Sequence, residues 1–422
     1  MKNPWGWIPT LYFAEGLPYA IVMSASVAMY KLLGVSNADI AFYTSWLYLP
    51  WVIKPLWSPI VDIFKQKRWW ILTMQLVLGC MLACVGLTLQ VPDFFRYSLI
   101  FFFLMAFSSA THDIAADGFY MIALREDQQS FFVGIRSTFY RLGVIAGQGL
   151  IVVLAGFLAR NAVLGNMQLA WSVTFLVFGG LFVLMMIYHN FILPRPVADK
   201  TISEGKSVWR ELADLFVSFV TKKGIIAALA FMLFYRLAES QLVKIAGPFL
   251  LDERAVGGLG LSAESYGVIY GTIGVVALLI GGILGGIAVS RKGLKKCIWY
   301  MVAAMNIPNI LYLYLAYFQP ESIVVISGCV ALEQLGYGFG FTAYMLYLIM
   351  FSDGEHKTSH YALCTGFMAL GMMLPGMFSG KIQELLGYTS FFVWVLICTI
   401  PSFIAVKFLK IPRNFGIKQK EN

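Results

Sequence analysis

The sequence predicts an all-α membrane protein with twelve spanning helices in two halves of six. Three observations carry this expectation. Apolar residues make up 59% of the 422 residues and charged residues only 13%, against about 45–50% and about 25% in soluble proteins. The excess lies in runs long enough to cross a bilayer, for which about 20 residues suffice. One long polar stretch, residues 194–222, divides the runs into two sets.

The first set covers residues 7–31, 38–62, 69–91, 96–124, 130–159 and 168–193. The second covers 223–251, 262–290, 294–318, 321–350, 358–385 and 388–409. An even number of spans puts both termini on one side, and the basic residues choose that side. One set of loops and the tail carry Lys65, Lys67, Arg68, Arg125, the basic residues between Arg195 and Lys223, the cluster Arg291 to Lys296, Lys357, and five more from Lys407 to Lys420. The opposite loops hold little beyond Lys31, Arg96, Arg160, Arg254 and Lys381. Loops rich in Lys and Arg stay in the cytoplasm, so both termini are expected there. The formal charge of +9 is thereby explained without nucleic acid as a partner. The six cysteines fall in or beside apolar runs with neither a disulfide framework nor metal-ligand spacing. Met1-Lys2-Asn3-Pro4-Trp5 leads into the first run without a small-residue cleavage site, which reads as a retained helix and not a signal peptide.

The expected domains are an N-terminal half over residues 1–193, a linker over 194–222 and a C-terminal half over 223–422. Pro194, Pro196, Ser203 and Gly205 break the linker. From Val208 the apolar residues 208, 212, 215, 216 and 219 share one helical face, which predicts an amphipathic helix on the membrane surface; the other reading is a disordered linker.

The charged interior is the functional signal. Ionisable groups at bilayer depth are costly, so they face a wet cavity, pair with one another and mark a substrate or ion path. Asp113 and Asp117 are four residues apart on one helix face, with Tyr120 near it and His112 about 100° away. Folded at a turn near Asp127, Asp113 lies 14 residues before the turn and Arg141 14 after it; Asp117 lies 10 before and Arg136 9 after. At about 1.5 Å per residue the depths match, which predicts the pairs Asp113–Arg141 and Asp117–Arg136, as ligand-responsive groups or as locks between two helices. Glu15 lies in the first run beside Gly16 and Pro18, which weaken the helix there. Arg236, Glu239 and Lys244 share the seventh run, where Arg236 and Glu239 are spaced to satisfy each other or a ligand. Glu333 precedes Gly336, Gly338 and Gly340, which mean close helix packing or a flexible gate. Lys54, before Pro55, either reaches back to the membrane surface or has a buried role. Tyr140 stands beside Arg141 as an aromatic platform of the kind that suits sugar rings.

Two loops resemble the loop between helices two and three of the major facilitator superfamily. Asp62 is followed by Lys65, Lys67 and Arg68, and Gly286 is followed by Arg291, Gly293 and Lys295. The resemblance implies that Asp62, Lys65, Arg136 and Arg291 form a cytoplasmic gate. It also implies two six-helix halves that rock about a midplane site. Leu56-Trp57-Ser58-Pro59-Ile60-Val61-Asp62, the stretch from Ser109 to Asp117, and Tyr140-Arg141-Leu142-Gly143 resemble motifs of the AmpG-type muropeptide permeases, a group related to the acetyl-coenzyme A transporters. Tyr235-Arg236-Leu237 and Glu333 fall where that family has similar residues, whereas its better-known members carry a small residue in place of Glu15.

That family imports N-acetylglucosaminyl-1,6-anhydro-N-acetylmuramic acid, with or without peptide, across the bacterial inner membrane at the expense of the proton gradient. The resemblance therefore implies a monomeric, proton-coupled symporter for an amino sugar or muropeptide, without cofactor or metal. The expected substrate-binding residues are Asp113, Arg141, Asp117, Tyr140, Arg236, Glu239 and Glu333, and the expected proton carriers are Glu15 and Asp113. A symporter for another saccharide or an organic anion is the alternative. A multidrug exporter fits poorly with buried arginines. A membrane-embedded enzyme would need a nucleophile–base or metal constellation, and the one candidate pair, His112 and Asp113, points apart on its helix.

Overall fold

The computed structural model describes residues 3–124, 126–160, 165–197, 199, 208–353 and 357–417. Arg125, Lys200, Lys206, His356, Lys418 and Lys420 lie outside the described residues, as does the side chain of Asp62. Every regular element among them is helical. Among the described residues ten helices are long and apolar enough to cross a membrane, from Pro4–Leu32 at one end of the chain to His360–Lys407 at the other.

Two of the expected runs take a form that local chemistry dictates. The run at 38–62 is two helices, Asn37–Ser45 and Leu49–Phe64, joined by the tighter turn Trp46–Tyr48. Pro50 has no N–H to return to Trp46, so the α-helical ladder is interrupted there. The last two runs form one stretch, His360–Lys407, broken at Gly387 by a left-handed φ of 74°. The helix expected from Val208 forms over Val208–Val220, with Phe219 stacked on Phe367 and Ser218 hydrogen-bonded to His360 at 2.9 Å.

A few helix starts are capped by short polar side chains. Ser36 accepts from the Asp39 N–H at 3.1 Å and Asn166 from the Gln168 N–H at 2.8 Å. Asp199 reaches back to the Lys67 and Arg68 N–H groups at 2.8 and 3.1 Å and closes the start of Lys67–Thr88.

The chain divides into two compact units. The first comprises residues 1–35, 53–206 and 262–268; the second comprises 36–52, 207–261 and 269–422. In the first, the Pro4–Leu32 helix packs lengthwise on the helix that starts at Glu126. The contact is backbone to backbone: a Cβ on Gly16 would lie 2.1 Å from the Tyr140 carbonyl oxygen, and one on Gly143 would lie 2.4 Å from that of Phe13. Only glycine permits such an approach. Each of these two helices also contains one wide π-helical turn, Ile21–Ala25 and Ala146–Leu150, and the two turns touch. In the second unit Gly336, Gly338 and Gly340 perform the same task. Their missing Cβ atoms would fall 2.2 Å from the Ala304 oxygen, 2.0 Å from the Leu278 oxygen and 2.4 Å from Met305 Cβ. Close helix packing is what these glycines permit in this structure.

Candidate functional site

In the first unit five ionisable side chains form one cluster. Asp117 receives the Arg136 guanidinium at 2.8 Å and the Tyr12 hydroxyl at 3.1 Å. Arg136 is sandwiched between aromatic faces, 4.5 Å from the Tyr12 centroid and 4.9 Å from that of Tyr120. Asp113 is paired with Lys54, whose ammonium donates to its carboxylate. The Glu15 carboxyl, only 6% exposed, lies beside the Asp113 carboxyl.

The expected Asp117–Arg136 pair is thus formed, and the expected Asp113–Arg141 pair is not. The cause is the first helix. It packs along the helix of Arg141, with Gly16 against Tyr140 and Gly143 against Phe13, and puts Tyr12 and Glu15 against Asp117 and Asp113. Arg141 is left half-buried, with Tyr140 as its electrostatic neighbour and no carboxylate partner among the described residues. Ser137 and Thr138, both exposed, lie one turn before it on the same side of the helix. Lys54 takes the buried role and does not reach back to the surface.

The second unit holds Arg236, Glu239 and Glu333, all buried. Arg236 donates to the Tyr337 hydroxyl, and its guanidinium lies over the Tyr337 and Phe341 rings at 5.3 and 4.9 Å. It forms no ion pair with Glu239: the helix ends at Phe234 and restarts at Leu237, and the three-residue spacing leaves the two as electrostatic neighbours outside ion-pair contact. Glu333 accepts from Gln334 at 2.9 Å, and one oxygen on each of Glu239 and Glu333 is buried without a hydrogen-bond partner among the described residues.

Of the expected gate residues, Lys65 and Arg291 are exposed at helix ends. Arg136 belongs to the Asp117 cluster. The stem of Lys67 lies across Gly118, where a Cβ would meet Cε at 2.3 Å.

A family model described as Major Facilitator Superfamily matches residues 10–374. The chain belongs to the major facilitator superfamily. It is therefore a membrane transporter and not an enzyme. Within the superfamily it is 24% identical over 399 residues to the anhydromuropeptide permease of Escherichia coli K12, covering 93% of this chain and 77% of that one. It is also 24% identical over 418 residues to a Rickettsia conorii chain that carries the name AmpG 4, covering 96% of each. Among solved structures, the nucleoside transporter NupG superposes with a TM-score of 0.71 at 16% identity, covering 96% of this chain and 98% of that one. A D-xylose–proton symporter superposes at 0.71 and 12% identity, covering 98% and 99%. These two likenesses establish the fold of this superfamily member and nothing of its ligand.

Sequence reasoning missed two features. One is the partner of Asp113. The other is a buried chain in the first unit, in which Gln75 donates to His112 at 3.0 Å and accepts from His189 at 2.9 Å, and His189 bonds Thr10 at 2.9 Å. His189 is as fully buried as His112, although its place near the end of its run gave no sign of that.

The pairing carries a prediction. Lys54→Met leaves the Asp113 carboxylate without its cation, at a cost on the order of 2 kcal/mol for a pair that is mostly withdrawn from solvent. Lys54→Met should lower the melting temperature of the detergent-purified protein by a few degrees. The double variant Lys54→Met/Asp113→Asn should recover most of that loss, because nothing is then left unpaired. Equal melting of the two would mean that the ion pair contributes nothing.

Proposed function

We propose that this transporter is a proton-coupled symporter that imports anhydro-muropeptides or related amino sugars across the bacterial inner membrane. In this reading twelve spans form two six-helix halves with both termini in the cytoplasm, and the halves alternate access to a site between them. The observation that carries it is an arginine, Arg141, without a carboxylate partner among the described residues. Lys54 and Arg136 each have a carboxylate in the first unit, and Arg141 has none. A planar guanidinium at that depth suits a lactyl carboxylate through two parallel hydrogen bonds. The similarity to the Escherichia coli permease supports the same ligand class.

Charge counting supports the coupling. Glu15, Asp113 and Asp117 face Lys54 and Arg136, which leaves the group with one negative charge in excess when all are ionised. One proton makes the group neutral, and Glu15, in contact with a carboxyl instead of a cation, is the residue that holds it. Tyr140, Arg236, Glu239 and Glu333 are assigned to the sugar and the remaining polar groups, and Asp62, Lys65 and Arg291 to the cytoplasmic gate. Another acidic saccharide or organic anion remains the alternative ligand, since Arg141 reads the acid and not the sugar.

Uptake of labelled anhydro-muropeptide, free amino sugars and neutral oligosaccharides into proteoliposomes under a pH gradient tests the reading. Preference for a neutral oligosaccharide would overturn it. Arg141→Lys keeps the charge and loses the fork. It should raise KM for acidic sugars by roughly tenfold, the equivalent of one good charge-assisted bond, and leave neutral sugars within about twofold. An equal loss for both would make Arg141 structural.

A further inference from the structure

The second unit contains a buried cation that the proposed function does not use. Lys244 is 1% exposed. Its ammonium donates to the Thr44 hydroxyl at 2.9 Å and lies 5.2 Å from the Tyr48 ring centroid. An ammonium carries three donors, so two remain beyond the one Thr44 takes. No carboxylate among the described residues pairs with it. Ser45, on the same turn as Thr44, has a fully buried hydroxyl with no hydrogen-bond partner among the described residues. The Ser45 hydroxyl and the Lys244 stem flank one spot: a Cβ on Gly376 would lie 3.1 Å from Ser45 Oγ and 3.4 Å from Lys244 Cγ.

Two turns further along the same helices lies a polar girdle. Asn37 donates to Gln383 at 2.6 Å and to Tyr388 at 2.9 Å, and Tyr388 donates to Asp252. The Ala38 N–H is taken by Glu384 at 2.9 Å. Gly380 lets the backbones meet, since a Cβ there would fall 2.0 Å from the Asn37 oxygen. These residues sit at the loop ends that are poor in Lys and Arg. The girdle therefore closes over Lys244 from the side opposite the basic loops.

We propose that Lys244 is a gated subsite for a carboxylate of the transported ligand, exposed when Asn37–Ser45 leaves the helix of Gly376 and covered by Thr44 and Tyr48 when the girdle closes. Burying an ammonium with one hydroxyl and one ring as partners is costly, and a carboxylate beside it removes most of that cost. The unliganded protein thus resists closing, and an acidic ligand licenses it. This subsite acts at admission and is separate from Arg141, which lies in the other unit; its ligand class rests on the symporter reading given above.

Two measurements on the full-length protein test it. In proteoliposomes, Lys244→Gln should raise KM for the anhydro-muropeptide by roughly tenfold with kcat within about twofold, and should leave KM for its methyl ester unchanged. An equal loss for acid and ester overturns the subsite. The second measurement needs no substrate. With the six native cysteines replaced, Asn37→Cys/Gln383→Cys reports girdle closure as disulfide yield. Adding Lys244→Met should speed cross-linking several-fold, because the buried charge no longer opposes closing. An unchanged or slower rate overturns the proposal whatever the uptake data show. If the unaltered transporter takes up neither probe, the symporter reading fails by itself, and the cross-linking rate alone decides for or against Lys244.

Discussion

Glu15→Gln should abolish gradient-driven accumulation of substrate while leaving exchange of substrate down its own gradient largely intact. The expectation follows from the company Glu15 keeps. Asp113 has Lys54 and Asp117 has Arg136, so either aspartate gains a proton only by giving up an ion pair. Glu15 has no such pair to lose; its neighbour is the Asp113 carboxyl. Glutamine reproduces the shape and hydrogen-bond donor of the protonated acid and cannot release a proton. On the symporter reading proposed above, the variant is held in the loaded form, with the cluster neutral and the halves free to alternate. Accumulation ratios under an imposed pH gradient, set beside counterflow without one, separate the two properties. Accumulation that survives in Glu15→Gln and fails in Asp113→Asn would reverse the roles assigned to these two residues.

The second large effect concerns the backbone contact that aims the cluster. Gly16→Ala and Gly143→Ala should each cost about 1–3 kcal/mol or more of stability, because the added methyl meets backbone atoms that cannot rotate away. Transport should fall further than stability. Moving the first helix off its neighbour carries Tyr12 and Glu15 with it, and misplacement on the order of 1 Å is enough to lose a productive geometry. Gly180→Ala is the control. It is exposed, a Cβ there meets nothing within 4 Å, and alanine is the better helix former. Melting curves in detergent with parallel uptake assays would show the contrast. Normal stability and transport in Gly16→Ala would refute the account of this interface.

Much of the helix order and the positions of the interior acids could be read from the chain, because long apolar runs and isolated charges within them are one-dimensional signals. The pairing of those charges could not be read from a single hairpin. Matching depths about the turn near Asp127 found Asp117–Arg136 correctly, yet gave Asp113 the wrong partner, because it ignored a third helix that packs on the second helix of that hairpin. The same arithmetic on two helices that run the same way would have succeeded. Asp113 lies ten residues before Ala123, the end of its helix, and Lys54 lies ten before Phe64, the end of its own. Arg236 and Glu239 mislead for a different reason: their spacing presumes a continuous helix, and the chain breaks at Arg236. The buried His112–Gln75–His189 chain draws on three separate helices, and nothing in the local sequence of any one of them announces it.

The wide turns at Ile21–Ala25 and Ala146–Leu150 bear on how this fold tolerates changes of length. A π-helical turn holds one residue more than the α-helical turn it replaces. Deleting a single residue inside it returns the segment to a regular helix and leaves both flanks facing as before. The same deletion one turn away would swing everything beyond it by about 100° and carry Glu15 or Arg141 off its face. These two turns are thus the places where the paired helices can gain or lose a residue without disturbing the charges, and where an alignment with relatives of slightly different length can open its gaps.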